Sequence, residues 1–362
     1  MKRLLILLLT LTFLLGLAAC SDAPEPTPEP SPEPSAEPSA EPSPEGTPIP
    51  SSEPEPSAPL YAHPLTGEPL ETAFPNTRPY AVMINNINVA QPQCSTSQCD
   101  ILYEILAEGT TRMMAIFSDL SDVGSIGSMR SLRPYYLDVA TTYDAIMIHA
   151  GGSEQAYSDL KTKGVENIDG VRGPGAGAFA RDPSRQTYGI EHSLFTTGEQ
   201  LLAATADLSY RTEHEGESYD YGLRFVADGT PGGASAGTID VHFGAYKNTT
   251  FTYDPDTKLY YPAQYGSDYI DGNTGEPVGF TNVLVLYAET RTLDNYGRLA
   301  VTLTGSGDGH YACGGKSTFI TWSREAEGAL FEYTKADGSP LSFGIGTTYI
   351  CIVPTGSEVT IS

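Results

Sequence analysis

The sequence contains few basic residues and no hydrophobic run long enough to span a membrane. Lys and Arg number 20 against 45 Asp and Glu, so the formal net charge at pH 7 is −25. Nucleic acids and anionic lipid surfaces are bound by clusters of basic side chains, so this balance argues against both as direct ligands. A membrane-spanning helix needs roughly 20 consecutive apolar residues, and no stretch of the sequence reaches that length. The composition therefore predicts neither a nucleic-acid-binding protein nor a transmembrane helix.

Several catalytic signatures are also missing. The sequence has no phosphate-binding P-loop, no glycine fingerprint for a dinucleotide and no HExxH zinc motif. Scattered Ser, His and Asp residues occur, but no spacing among them singles out a catalytic triad. The sequence therefore predicts no cofactor, and whether the protein is an enzyme stays open at this point.

The first twenty residues have the layout of a secretory signal. Lys2 and Arg3 precede an apolar run over 4–17, and small residues follow directly before Cys20. A cysteine at that position is typical of a lipoprotein signal, in which the thiol is lipidated and the chain is cleaved before it. We therefore predict a signal peptide over 1–19 and a diacylglyceryl-type anchor on Cys20. Two acyl chains suffice for stable anchoring, and the expected location is the outer face of a bacterial cytoplasmic membrane.

The segment after the anchor predicts a tether. Residues 21–59 are nearly all Pro, Glu, Ser and Ala, with nine acids and no Lys or Arg. Such a segment has almost no apolar side chains to offset the entropy cost of ordering. Proline-rich, like-charged chains are extended, so residues 20–59 are expected to form a disordered stalk that holds the folded part away from the membrane. The remaining chain has 36 acidic and 18 basic residues and is itself acidic.

Four cysteines lie beyond the anchor: Cys94, Cys99, Cys313 and Cys351. An even number of cysteines in an exported protein predicts disulfides. The favoured pairs are Cys94 with Cys99 and Cys313 with Cys351, although three connectivities are possible. Zinc is the alternative, but the sequence has no second closely spaced cysteine pair and no His near the first. We therefore predict disulfides and no metal site.

The rest of the chain divides into two regions by its local pattern. Region 60–226 alternates strand-type apolar runs with helical spacing, which predicts an α/β or α+β domain with a mixed sheet. Residues 227–238 have the composition of a linker, and region 239–362 has short strands separated by turn signals, which predicts a β-rich domain. In the first region the expected strands are 80–85, 101–107, 112–118, 143–149 and 165–168, and the expected helices are 131–142, 154–163 and 198–206.

Arginines stand out in residues 124–133 because the chain is so acidic. Arg130, Ser131 and Arg133 lie where a loop meets the expected helix. Helix N-termini attract anions, and guanidinium groups bind carboxylate or phosphate in bidentate fashion. The segment therefore predicts an anion site. The alternative is a structural network in which the arginines pair with nearby acids: Glu104, Glu108 or Asp138.

A second candidate lies at the end of the expected strand 143–149. Open α/β sheets bind ligands beyond the carboxyl ends of their strands, which is where His149 and the next residues fall. Gly151 and Gly152 would let a ligand approach the backbone, and Ser153 would cap the next helix or face the ligand. The alternative for His149 is a structural role.

A third candidate is the long loop over 170–189. Loops of this length in compact domains are usually functional or mobile. Arg172, Arg181 and Arg185 could close over an anionic ligand, and Arg172 joins the predicted ligand-binding set. The alternative is that these arginines are solvated or pair with acids in the same region, namely Asp182 and Glu191.

Several segments together resemble one known family. The ordered motifs are RPYAVMINN at 78–86, DILYE at 100–104, IGSMRSLR at 126–133, HAGGS at 149–153 and GSGDG at 305–309. In this order they resemble the YerB-type lipoproteins, a bacterial family catalogued as a domain of unknown function. The resemblance extends from about residue 60 to the end. It implies a lipoprotein with an N-terminal and a C-terminal part, and it implies no particular activity.

Three functions fit these features. The first is a membrane-anchored extracytoplasmic lipoprotein that binds an anionic cell-envelope ligand or a peptide. The second is an envelope hydrolase or transferase acting on a phosphate- or carboxylate-bearing glycan. The third is a structural partner in an envelope protein complex. We expect the first, with Arg130, His149 and Arg172 around one cleft.

Overall fold

Strands predominate in the computed structural model, which describes residues 61–362. All of these residues belong to one compact unit. The predicted signal peptide, the anchor on Cys20 and the stalk lie outside the described residues. Among the helices within 61–362, none combines the length and the apolarity needed to cross a lipid bilayer.

The chain up to residue 226 alternates strands with helices. The strands are β1 (Tyr61–Ala62), β2 (Pro69–Leu70), β3 (Tyr80–Asn86), β4 (Ile101–Ala107), β5 (Thr110–Phe117), β6 (Ser125–Gly127), β7 (Ile146–His149), β8 (Asn167–Asp169), β9 (Ala180–Arg181), β10 (Leu194–Thr197) and β11 (Phe225–Val226). The α-helices are α1 (Pro134–Thr142), α2 (Glu154–Lys163) and α3 (Gly198–Asp207). Short 3-10 helices span Asn88–Ala90, Thr96–Gln98, Pro174–Ala178, Pro183–Tyr188 and Ile190–His192.

The described chain after residue 226 contains strands and connecting turns. The strands are β12 (Ala234–Ser235), β13 (Thr238–Gly244), β14 (Lys247–Asp254), β15 (Leu259–Gln264), β16 (Ser267–Asp268), β17 (Asn282–Ala288), β18 (Thr290–Thr292), β19 (Leu299–Val301), β20 (Gly305–Cys313), β21 (Lys316–Arg324), β22 (Glu332–Lys335), β23 (Phe343–Gly344), β24 (Thr348–Pro354) and β25 (Val359–Ile361). The β-rich character predicted for 239–362 is confirmed.

Capping side chains set the limits of two helices. Ser153 accepts a hydrogen bond from the amide of Ala156 at the start of α2, and Gly164 ends that helix in the left-handed region with φ of 66°. Thr197 caps α3 in the same way, accepting from the amide of Gln200. These two predicted helices are confirmed, and α3 is one residue longer than expected.

The third predicted helix, 131–142, starts later than expected. It begins at Pro134, a residue suited to the first helical position. The backbone before it is extended, because the amide of Leu132 donates to the carbonyl of Gly151 at 2.9 Å. This hydrogen bond places residues 130–132 alongside the end of β7.

One mixed sheet runs through both sequence regions. Its order is β12-β21-β20-β17-β24-β4-β5-β3-β7-β8, with β22 also paired to β21. The late strand β24 lies between β17 and β4, parallel to both. The predicted mixed sheet is confirmed, but the two regions share it instead of each closing a sheet of its own. Part of the predicted linker is a strand as well, since β12 pairs with β21.

The sheet separates two hydrophobic cores, because successive side chains of a strand point to opposite faces. Leu284 and Ile350 lie in one core, which α1 covers with residues such as Tyr136. Val283 and Tyr349 lie in the other. That second core is covered by α3 and by an antiparallel sheet of order β16-β15-β14-β13-β25.

The four cysteines are all buried and free, so the predicted disulfides are wrong. Cys313 and Cys351 cannot pair because they face opposite sides of the shared sheet, one in each core. The Cys99 thiol donates to the carbonyl of Thr96 at 3.1 Å. Burial accounts for these cysteines without a covalent bond, since free cysteine is among the most buried residue types.

These thiols are expected to react slowly in the native protein. Burial raises the pKa of Cys94, Cys99, Cys313 and Cys351, which lowers the thiolate fraction at pH 8 below that of an exposed cysteine. A Cys20→Ser variant, kept free of reductant and titrated with a chromogenic thiol reagent, should show four reactive thiols only after denaturation. Two or no thiols after denaturation would contradict the free state.

Candidate functional site

An open cleft of about 600 Å³ brings several arginines together. Arg112, Arg130, Arg133 and Arg298 line it, and it is called the arginine cleft below. Its other lining residues are Glu108, Ser131, Gly152, Ser153, Glu154 and Tyr296. Four guanidinium groups in one cleft are a marked concentration in a chain with a net charge of −25.

The extended backbone around Arg130 positions the cleft. The amide of Arg130 donates to the carbonyl of Met83 in β3 at 3.0 Å, and its carbonyl accepts from the amide of Ala150 at 3.0 Å. The Ser131 hydroxyl donates to the Ala150 carbonyl at 2.9 Å. Residues 130 and 131 are therefore held on both sides, by the shared sheet and by the loop that follows β7.

Glu108 holds two of the arginines in place. One carboxylate oxygen accepts from Arg112 and the other from Arg133, both at 2.5 Å. Arg112 also donates to the carbonyl of Ser131 at 2.5 Å. Burial, together with the nearby charge of Arg133, lowers the pKa of Arg112 to about 10, so Arg112 stays charged at neutral pH. One carboxylate thus fixes two cations and leaves an excess of positive charge.

Arg130 differs from its neighbours. Within residues 61–362 its guanidinium makes neither a hydrogen bond nor an ion pair, although the side chain is partly buried. Burial and the positive charge of Arg133 lower the pKa of Arg130, and the negative charge of Glu191 only partly offsets this effect. Arg298, by contrast, is paired with Asp294. Among the described residues, Arg130 is therefore the cleft arginine whose whole guanidinium is available to a ligand.

His149 does not line the cleft. The residue is fully buried, and its ring nitrogens lie 2.9 Å from the carbonyl of Gly151 and 3.2 Å from Oδ1 of Asn167. Asp169 accepts from the amide of Gly151 at 2.8 Å. His149 and Asp169 thus shape the loop that supports Ser131. No group of three His, Cys, Asp or Glu side chains in the described part of the chain is placed to hold a metal ion.

The remaining predicted residues fall at the edge of the cleft or outside it. Ser153 lines it, but its hydroxyl caps α2 by accepting from Ala156. Gly151 has φ of 73°, and a Cβ there would lie 3.6 Å from the Ser131 hydroxyl. Arg172 is exposed and lies over the ring of Tyr157 at 4.6 Å. The structure therefore groups Arg130, Ser131, Arg133, Gly152 and Ser153 around the cleft, whereas His149, Gly151 and Arg172 do not line it.

Two arginines of the cleft, Arg112 and Arg298, were not predicted from the sequence. Arg112 follows two threonines and precedes an apolar run in strand β5, and a charged residue inside a buried strand was a usable signal. Arg298 comes from the turn before β19, far along the chain, and nothing in its local sequence indicates the cleft.

Two family models match the chain. Residues 65–211 match "Protein of unknown function (DUF3048) N-terminal domain", and residues 239–350 match the corresponding C-terminal domain. A Bacillus subtilis relative described as "Putative lipoprotein YerB" is 29% identical over 304 residues, which is 83% of this chain and 88% of the relative. The crystal structure of YerB protein from Bacillus subtilis has a TM-score of 0.70 at 28% identity, covering 83% of this chain and 99% of that chain. The resemblance stated from the motifs is confirmed.

Proposed function

The chain belongs to the DUF3048 family of two-part proteins of unknown function, and from this premise we propose that it is a lipid-anchored envelope protein that binds an anionic ligand in the arginine cleft. The anchor is supported by the signal layout that ends at Cys20 and by the description of the Bacillus relative as a lipoprotein. The expected position is the outer face of the cytoplasmic membrane.

The free guanidinium of Arg130 carries the ligand proposal. A partly buried cation without a protein partner is costly unless solvent or a ligand satisfies it. Arg112 and Arg133 flank it and are fixed by Glu108, so they lose little conformational freedom when an anion arrives. A phosphate or carboxylate group fits this set, because guanidinium groups bind both in bidentate fashion.

The hydrolase or transferase alternative has less support. It relied on His149 as the group that handles protons, and a general base must come within hydrogen-bond reach of the substrate. His149 is fully buried, with both ring nitrogens next to protein oxygen atoms. The role of structural partner in an envelope complex stays a prediction for the β-rich region.

Replacing Arg130 with glutamine is expected to weaken binding of inorganic phosphate and citrate at least tenfold. A hydrogen bond to a charged group contributes about 1.5–3 kcal/mol, and about 1.4 kcal/mol is a tenfold change in affinity. Calorimetric titration at low salt measures the effect.

The matched control is Arg224→Gln, because Arg224 is exposed and does not line the cleft. It should bind both anions as the unaltered protein does. The proposal fails if neither anion binds, or if the Arg130 and Arg224 variants have equal affinity while both keep the native circular dichroism spectrum.

A further inference from the structure

A second cavity, of about 730 Å³, shares no lining residue with the arginine cleft. It lies over the ends of β17, β20 and β21 and beside the turn that follows β24. Hydroxyl groups dominate its lining, and it is called the hydroxyl trough. The hydroxyls come from Thr302, Thr304, Ser306, Thr321, Thr355 and Ser357.

The polar atoms of the trough are free for a ligand. None of the six hydroxyls makes a hydrogen bond as donor within the described residues, and the carboxylates of Glu289 and Asp308 accept none there. No Lys, Arg or His is among the lining residues. Two carboxylates without a cation repel phosphate and carboxylate groups, so the ligand class differs from that of the arginine cleft.

Aromatic rings form an apolar strip along the same face. Tyr287 and Phe319 line the trough, and the ring of His310 lies between them, with centroid distances of 6.1 and 5.9 Å. Phe319 is 42% exposed, so its ring is accessible to a ligand in the trough. Burial lowers the pKa of His310, so the strip is uncharged at neutral pH.

The floor of the trough is fixed from below. The indole of Trp322 crosses under the sheet and donates to the carbonyl of Tyr287 at 2.9 Å. A Cβ at Gly307 would lie 2.6 Å from that indole nitrogen, so only glycine lets the two strands and the ring approach this closely. A rigid floor lowers the entropy cost of binding.

We propose that the hydroxyl trough binds an uncharged oligosaccharide. A sugar ring presents an apolar face and a rim of hydroxyls, which matches an aromatic strip bordered by hydroxyls and carboxylates. Hydroxyls both donate and accept, and carboxylates accept strongly from sugar O–H groups. A small cation would need several carboxylates converging on one point, and the trough offers only Glu289 and Asp308.

Calorimetric titration with cellotetraose, maltotetraose and chitotetraose tests this proposal. We expect saturable binding of at least one of them that added phosphate does not compete away. Phe319→Ala should weaken that binding about tenfold through the loss of aromatic contact. Asp308→Asn should weaken it about fivefold through the loss of a charged acceptor.

The control variant is Tyr246→Ala, which removes an aromatic ring that is 88% exposed on another strand connection. It should bind the sugar as the unaltered protein does. The proposal is overturned if none of the three sugars binds. It is also overturned if the Phe319 variant matches the Tyr246 variant, or if tetramethylammonium binds in an Asp308-dependent way while the sugars do not.

Discussion

Replacing Lys247 with methionine is expected to lower the free energy of unfolding by about 3–5 kcal/mol, because it leaves a buried carboxylate without its cation. Glu104 and Lys247 are 0% and 1% exposed at their side chains, and their charged atoms lie 2.7 Å apart. The Glu104 carboxylate also accepts from four neutral side chains: Asn86, Thr111, Thr249 and Tyr349. Denaturant titration of the variant measures the loss.

The double variant Lys247→Met with Glu104→Gln tests whether the loss of stability comes from the unpaired Glu104 carboxylate. It should recover part of the lost stability, since a neutral amide costs less to bury than an unpaired carboxylate. Lys316→Met is the control, because Lys316 is an exposed lysine that also lies in a strand. A Lys247 variant within about 1 kcal/mol of the Lys316 variant would show that the buried pair does not hold the two sequence regions together.

Replacing Arg324 with methionine is the second substitution with a large expected cost, again about 3–5 kcal/mol. Its guanidinium is fully buried and donates to the Asp138 carboxylate at 2.8 Å and to the Thr142 hydroxyl at 2.7 Å. It also donates to the carbonyls of Asp138 and Ala329. The substitution would detach β21 from the helix α1 and leave the Asp138 carboxylate unpaired. Thermal and urea unfolding should both report the loss.

Arg324→Lys distinguishes charge from geometry at this position. A lysine keeps the positive charge but has no planar fork with which to reach four acceptors at once, so it should recover only part of the stability. Arg291→Met is the control for general effects of removing an arginine, since Arg291 is exposed in β18. A fully stable Arg324→Lys variant would mean that charge alone matters there.

Local patterns predicted the three α-helices and the longer strands of region 60–226. The apolar runs that became β3, β4, β5 and β7 are short and strand-like, and the caps at Ser153 and Thr197 set the start of α2 and α3. Each of these depends on neighbours in sequence. The start of α1 was misplaced because the bond from Leu132 to Gly151 competes with the helix, and no local rule indicates that contact.

Pairings between distant segments could not be read from the sequence. The strand β24 joins β4 across about two-thirds of the chain, and the sequence composition gave no reason to unite the two regions in one sheet. The same limit explains the disulfide error, since whether two cysteines face each other depends on strand order. In the arginine cleft, Arg130 and Arg133 lie in one local motif, whereas Arg298 arrives only through tertiary folding.

The position of β24 has a consequence for the biogenesis of the protein. Until Thr348–Pro354 has been synthesised and can reach the sheet, one edge of the apolar strand β4 has no partner. An open apolar edge is a template for wrong pairing with other chains. The nascent polypeptide therefore carries this open edge for about two-thirds of its synthesis, and a chain that terminates before residue 348 would be a substrate for proteolysis.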